Sequence, residues 1–301
     1  MATLTSDPDW VLIDDGFTLA REHEVESLSA IGNGYLGSRG SLPEGCSLSA
    51  PATFVAGAFD MEESGSGLGL VRVADWTRLS ITIEGQPLQL DRGRWLEHRR
   101  ILDLKQGMLW RQWRHQDEFG RVTRLEELRV ASLANRHLLV QSVTLTAENY
   151  NGNVTIDATP TGPLIQLTKS GLVIAMALRL WLSPPLGGSI SSTESPVHQL
   201  RMEQGETRRV DRVVAVCTSR DSDDPIETAS THAEHAMDDI GLTIAHHRDA
   251  WLARWQASDI RIEGNADAQR ALRFAIYHLS SAANPEDERV SVGARGLSGL
   301  A

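Results

Sequence analysis

The sequence predicts a mainly β protein that turns helical near residue 222. Three observations carry this. Short segments alternate apolar and polar side chains at period two up to about residue 218, with glycine-centred turns between them. No long helical stripe interrupts them before residue 220, which argues for an antiparallel sandwich or barrel and against a parallel α/β fold. Beyond that point apolar residues recur at spacings of three and four.

In chain order, Asp9 to Leu19 reads as an entering strand, and Arg21 to Ser29 is a polar, charged stretch. A glycine-dense segment follows, with five glycines between Gly32 and Gly45. Such density means backbone at positive φ or backbone pressed against something else. Gly32 to Gly37 fits G-x-G-x-x-G, and Asp60 lies near the distance of a ribose-binding acid. The context excludes a dinucleotide site: no buried strand precedes the motif, and Gly40, Pro43, Gly45 and Pro51 leave no room for a crossover helix. Arg39, lone among glycines, reads as a solvated or salt-bridged residue rather than an anion site.

Ala52 to Phe59 is an apolar run, and Glu62 to Gly69 is a Gly/Ser loop. Leu79 to Ile83 alternates, turns at Glu84-Gly85-Gln86-Pro87 and returns at Leu88 to Leu90, a hairpin signal. Val122, Leu128 and Val130 share one strand face, as do Leu139, Val143 and Leu145. Val154, Ile156 and Ala158 alternate, and so do the even positions from Leu172 to Leu182. Asp211 to Thr218 is the last strand.

Asp224-Pro225-Ile226-Glu227 then marks a helix start, with an Asp cap, Pro at the first position and Glu three residues after the cap. Ala233, Met237, Ile240, Ile244, His247, Trp251 and Trp255 line one face of a helix, or of two broken near Gly241. Asn265 caps a further helix whose stripe is Ala268, Leu272, Ala275, Ile276 and Leu279. One such helix cannot bury its face without partners. The expected organisation is a β domain over 1–222, a helical linker over 223–258, and the start of a truncated helical domain over 259–301.

With 301 residues, 41% hydrophobic and 23% charged, the chain has an ordinary globular composition. A net charge of −11 argues against nucleic-acid partners and anionic membrane surfaces. Cys46 and Cys217 are too few for a disulfide framework or a cysteine zinc site, so two free thiols in a reducing cytoplasm are expected. The N-terminus has no basic or apolar region of a secretory signal, and the longest apolar run, Leu172 to Leu178, is too short to span a bilayer.

Adjacent acid pairs occur at Glu62-Glu63, Glu126-Glu127, Asp223-Asp224 and Asp238-Asp239. Neighbours on a strand point to opposite faces, so Glu126 and Glu127 cannot share a substrate, and the other pairs read as loop or helix-surface charges. His232 and His235 stand three apart on a helix, yet the spacing offers no third ligand, so no metal is expected. His247 falls on an apolar stripe and reads as packed. Trp110, Trp113, Trp181, Trp251 and Trp255 read as core or interdomain packing rather than sugar platforms.

Glu26-Ser27-Leu28 with Ile31 to Gly40 resembles the N-terminal signature of glycoside hydrolase family 65, which contains maltose, kojibiose, nigerose and trehalose phosphorylases and related hydrolases. Three later pieces fall in the family's order: His247 to Trp251 with Trp255, Asp259 and Ile260; Gln269 to Phe274 with His278 and Leu279; and Ala294 to Gly299. The resemblance implies a galactose-mutarotase-like β-supersandwich, a helical linker and an (α/α)6 barrel that holds the active site. Gly32, Asn33, Gly34, Tyr35, Gly37, Arg39 and Gly40 are its structural signature here.

The family's catalytic glutamate lies well inside the barrel, as does a Phe-Trp-Asp-x-Glu segment that normally follows soon after Gly299. Neither occurs in this sequence, so no catalytic residue is assigned and the chain is expected to be inactive alone. Arg295 is the substrate-binding candidate, because it sits in the matched loop leading to that segment. The parent enzyme would cleave an α-linked glucose disaccharide with inversion, using inorganic phosphate as co-substrate and no other cofactor, to give β-glucose 1-phosphate. A cytoplasmic homodimer is implied. The alternatives are a carbohydrate-binding or oligomerisation sandwich acting alone, and a mutarotase-like enzyme, which needs a convergent His/Glu pair in one cleft.

Overall fold

The computed structural model describes residues 3–61, 68–160, 162, 164–183, 191–192, 196–293 and 296–298. Its strands are β1 (Val11–Asp15), β2 (Ile31–Gly32), β3 (Leu36–Ser38), β4 (Thr53–Met61), β5 (Leu68–Val73), β6 (Ser80–Ile83), β7 (Gln86–Pro87), β8 (Arg94–Asp103), β9 (Met108–Gln116), β10 (Val122–Ala131), β11 (Leu138–Ala147), β12 (Gly152–Asp157), β13 (Ile165–Leu167), β14 (Val173–Leu182), β15 (Ser191–Ser192), β16 (Val197–Met202) and β17 (Thr207–Thr218). Its helices are α1 (Glu22–Leu28), α2 (Pro225–Asp238), α3 (Ile240–Ser258) and α4 (Ala266–Ala282).

The pairings described are antiparallel. A nine-stranded sheet runs β1-β8-β9-β10-β11-β17-β14-β13, with β15 also on β14; one small sheet runs β16-β12-β6-β7 and another β2-β3-β4-β5. Period two explains the layering. On β11, Leu139, Val143 and Leu145 face the two small sheets, while Leu138 and Val140 face the other way, onto α2. Ala229, Ala233 and Ala236 of α2 are small enough to lie close against that outer face. The hairpin of β6 and β7 turns at Glu84 and Gly85, at φ 49° and 77°, which a two-residue hairpin loop demands. Its return ladder is shorter than the sequence predicts, because Pro87 has no N–H and β7 lies at the sheet edge.

A belt of buried charge divides the inner face into two apolar halves. Arg111 pairs with Glu44 at 2.5 Å, Arg129 with Glu127 at 2.5 Å, and Arg100 with Glu22 at 2.5 Å. Arg212 instead donates to backbone carbonyls, including those of Arg78 and Ala158, each at 2.9 Å. With no carboxylate in direct contact, its burial pulls the guanidinium pKa down to about 10.

One element differs from the sequence reading, and one alternative is decided. The polar stretch after Arg21 is the helix α1, because its buried acids Glu22 and Glu26 find arginines at 100 and 39. The helical face from Ala233 to Trp255 belongs to two helices: Asp239 ends α2 and caps α3 by accepting from the Leu242 N–H at 2.8 Å. Among the described residues no helix is long and apolar enough to cross a membrane.

Candidate functional site

The glycine segment forms a tight hairpin, β2 against β3, with Gly32 opposite Gly37. No helix follows it before β4, so the dinucleotide motif has no structural counterpart. Asn33 builds the turn. Its Oδ1 accepts from the Tyr35 and Leu36 N–H groups at 3.0 and 2.7 Å, and its Nδ2 donates to Ser132 O at 2.7 Å and Arg136 O at 3.0 Å. One side chain therefore closes the hairpin and ties it to the connection between β10 and β11.

The glycines are needed because other backbone comes too close. Gly34 has φ 87° and donates its N–H to Ser281 O at 2.7 Å; a Cβ there would lie 2.1 Å from Ala283 O. A Cβ at Gly37 would lie 2.2 Å from Leu297 O. Gly32 approaches Ser281 and Gly40 approaches Ser29 in the same way. The hairpin is thus wedged against the end of α4 and the loop at 296–298.

Arg39 is fully buried, and both of its terminal nitrogens are hydrogen-bonded while Nε has no partner. It donates to Glu26 at 3.2 Å, to Ser27 Oγ at 2.7 Å, to His23 O at 2.7 Å and to Ser298 O at 3.1 Å. Glu26 also accepts from Ser49 Oγ and from the Ala50 N–H. Arg39 therefore clamps α1 to the loop at 298. Tyr35 donates its hydroxyl to Asp221 at 2.5 Å, and burial beside that carboxylate pushes its pKa up.

α4 docks through a face that its apolar pattern conceals. Gln269, Arg273, Tyr277 and Ser281 are buried at a spacing of four. Arg273 forms two 3.0 Å bonds to Asp259 and lies 3.7 Å over the Trp10 ring. Tyr277 stacks on Trp251 with ring centroids 5.0 Å apart. Trp255 meets Trp10 edge-on at 4.9 Å and donates to Leu104 O. Trp251 and Trp255 are thus packing residues, not open platforms. His247 accepts from the Leu133 N–H and donates to Gln106 O, and burial lowers its pKa to about 4. The predicted stripe splits: Ile276 packs half-buried against the core, while Ala275 is exposed and Leu279 is 71% exposed.

These pieces enclose a cleft of about 580 Å³, lined by Gly32, His278, Leu279, Ser281, Val292 and Leu297 among others. His278 is the titratable group there. Burial lowers its pKa to about 4, so the ring is neutral at pH 7, and its Nε2 has no hydrogen-bond partner. Sequence reasoning placed His278 in a motif but gave it no role. The structure brings Gly32, Gly34, Gly37 and Arg39 to this junction. Arg295 lies outside the described residues, as do Glu62 and Glu63.

The remaining candidates are dispersed. Glu127 is buried on Arg129 while Glu126 is exposed on the opposite face. Asp224 and Asp239 are helix caps. A mutarotase-like centre would need an open His/Glu cleft on the inner face. His98 and Glu44 each bond Arg111 there, and the cavity beside Glu44 is about 10 Å³, room for one water.

The family model for the glycosyl hydrolase family 65 N-terminal domain matches residues 12–162. The chain belongs to glycosyl hydrolase family 65. A kojibiose phosphorylase of Caldanaerobacter subterraneus subsp. tengcongensis is 29% identical over 341 residues, covering 98% of this chain and 44% of the relative. An alpha,alpha-trehalose phosphorylase of Thermoanaerobacter brockii is 24% identical, covering 99% and 46%. The solved structure of a putative kojibiose phosphorylase from human microbiome superposes with a TM-score of 0.81 at 16% identity, over 99% of this chain and 45% of that one. The chain spans about half the length of the curated relatives it matches.

Proposed function

We propose that this chain is the sandwich-and-first-helix portion of an inverting α-glucoside phosphorylase. The observation that carries the reading is convergence: motifs far apart in sequence meet at one cleft, with the glycine hairpin seated under α4 and the 296–298 loop. In this reading residues 1–222 are the sandwich, 223–258 the linker and 259–301 the start of a helical barrel. Arg295 would line the mouth of that barrel, where phosphate and an α-linked glucose disaccharide bind.

Phosphorolysis needs one general acid on the glycosidic oxygen, because phosphate brings its own nucleophilic oxygens. The buried carboxylates Glu22, Glu26, Glu44 and Glu127 each face an arginine and are not free for that role. The barrel supplies the acid, and the residues here hold the barrel's first helix in place. The protein works in a reducing cytoplasm, which its two free thiols support, and as a homodimer, which light scattering of the active enzyme tests.

The experiment compares two proteins supplied with phosphate and each of kojibiose, trehalose, maltose and nigerose, with β-glucose 1-phosphate as the readout. The chain alone is expected to be inactive. Joined in place of the aligned part of the Caldanaerobacter kojibiose phosphorylase, it is expected to support phosphorolysis. Turnover by the chain alone would overturn the placing of the acid. A chimera that folds but cleaves none of the four would overturn the functional reading.

A further inference from the structure

Sequence spacing offers His232 only one neighbour, His235, and no third ligand. The fold supplies a different set. His232, on α2, stacks on His137 with ring centroids 5.2 Å apart and 20° between planes. Cys217, near the end of β17, lies with its sulfur 3.6 Å from His137 Nδ1. One ring nitrogen from each histidine and the Cys217 sulfur all lie within 4.8 Å of one another. Three elements far apart in sequence thus deliver two imidazoles and a thiol to one point.

We propose that His137, Cys217 and His232 form a binding site for a thiophilic divalent cation of the zinc class, with solvent as the fourth ligand.

The donor set is the first argument. Two imidazoles and one sulfur select a borderline-soft cation and not magnesium or calcium, which take oxygen ligands. The second argument is orientation. Asn135 contacts His232 Nδ1 at 3.3 Å, and its Oδ1 accepts from the His137 backbone N–H at 3.2 Å. His137 Nδ1 lies 2.9 Å from Val216 O, which fixes that ring. Backbone and amide partners of this kind hold imidazoles for a metal.

Access is the third argument. A cleft of about 240 Å³ reaches His232 from solvent, and His235 and His246 also line it. The cleft therefore carries two further imidazoles beside His232. Binding displaces the thiol proton: one sulfur–metal bond forms, one S–H bond breaks, and one proton leaves to solvent. Tetrahedral zinc with bonds of about 2.0 Å to nitrogen and about 2.3 Å to sulfur needs ligand atoms about 3.5 Å apart, so closure takes side-chain shifts of about an ångström.

The test titrates zinc ion into the full 301-residue chain and reads binding and proton release by calorimetry in two buffers of different ionisation enthalpy. Cobalt ion is then substituted for zinc to read the sulfur-to-metal charge-transfer absorption. The expected result is one zinc per chain with one proton released, and a charge-transfer band with cobalt. Cys217→Ser and His232→Ala should each weaken binding by at least about tenfold, while His235→Ala changes it far less. A circular-dichroism spectrum like the parent's qualifies each variant. Two results would overturn the site: no zinc bound at micromolar concentration, or binding without the charge-transfer band and untouched by Cys217→Ser. The second would leave only surface histidines.

Discussion

Replacing Gly34 by alanine should loosen the junction between the sandwich and α4. Gly34 sits at φ 87°, in the left-handed region, where a β-carbon costs about 1–2 kcal/mol. That β-carbon would also lie 2.1 Å from Ala283 O, which is backbone and cannot swing aside. The end of α4 must move, and the 2.7 Å bond from the Gly34 N–H to Ser281 O is lost with it, costing about 0.5–1.5 kcal/mol. The sum is about 1.5–3.5 kcal/mol, or a fall in Tm of roughly 2–6 °C for a chain of this size. Gly85→Ala is the matched control. Gly85 has φ 77° but nothing within 4 Å of its added Cβ, so it incurs the backbone strain alone. The assay is thermal unfolding of both variants, with limited proteolysis after α4. Gly34→Ala should lose about twice as much stability as Gly85→Ala and gain cleavage between residues 283 and 293. Equal losses with unchanged proteolysis would refute the close approach as the reason for glycine at 34.

Three further outcomes are expected. Arg39→Met leaves the Glu26 carboxylate buried and unpaired, which should cost about 3–5 kcal/mol in urea unfolding, and adding Glu26→Gln should recover part of the loss. His247 and His278 have folded pKa values of about 4, below the ordinary histidine value of about 6.5, so the unfolded chain takes up protons first; stability is full above about pH 6.5 and falls toward pH 4, by up to about 1.4 kcal/mol per pH unit for each ring. His278→Gln should flatten that slope in urea titrations at stepped pH. Leu279→Lys, on the exposed stripe of α4, should change stability by less than about 0.5 kcal/mol while raising solubility in a precipitation assay.

The strands were legible because their solvent and core faces alternate: Leu139, Val143 and Leu145 lie on the face that period two assigns them. Helix starts were legible where a cap is chemical, as at Asp224 and Asn265, both of which accept the N–H of the third residue along. α1 was not legible, because its buried acids are neutralised by Arg39 and Arg100, and nothing local announces partners 13 and 78 residues away. The docked face of α4 was hidden for a related reason. Arg273 and Gln269 are polar in sequence, yet Asp259 satisfies the first, while the Ile260 and Ile262 backbone satisfies the second. The glycine segment was legible as backbone under constraint, but what presses on Gly34 and Gly37 is chain more than 240 residues later. The meeting of His137, Cys217 and His232 likewise depends on β-sheet register and not on spacing.

Amide hydrogen exchange over residues 33–40 tests most directly whether the glycine hairpin is a buried joint under α4. The Gly34 N–H is held by Ser281 O, the Arg39 N–H by Ala52 O and the Gly40 N–H by Glu26 O. All three should exchange as slowly as the amides paired between β10 and β11. Exchange at Gly34 as fast as at the exposed Gly171 turn would contradict the joint, and with it the role of this hairpin in seating the first helix of a barrel.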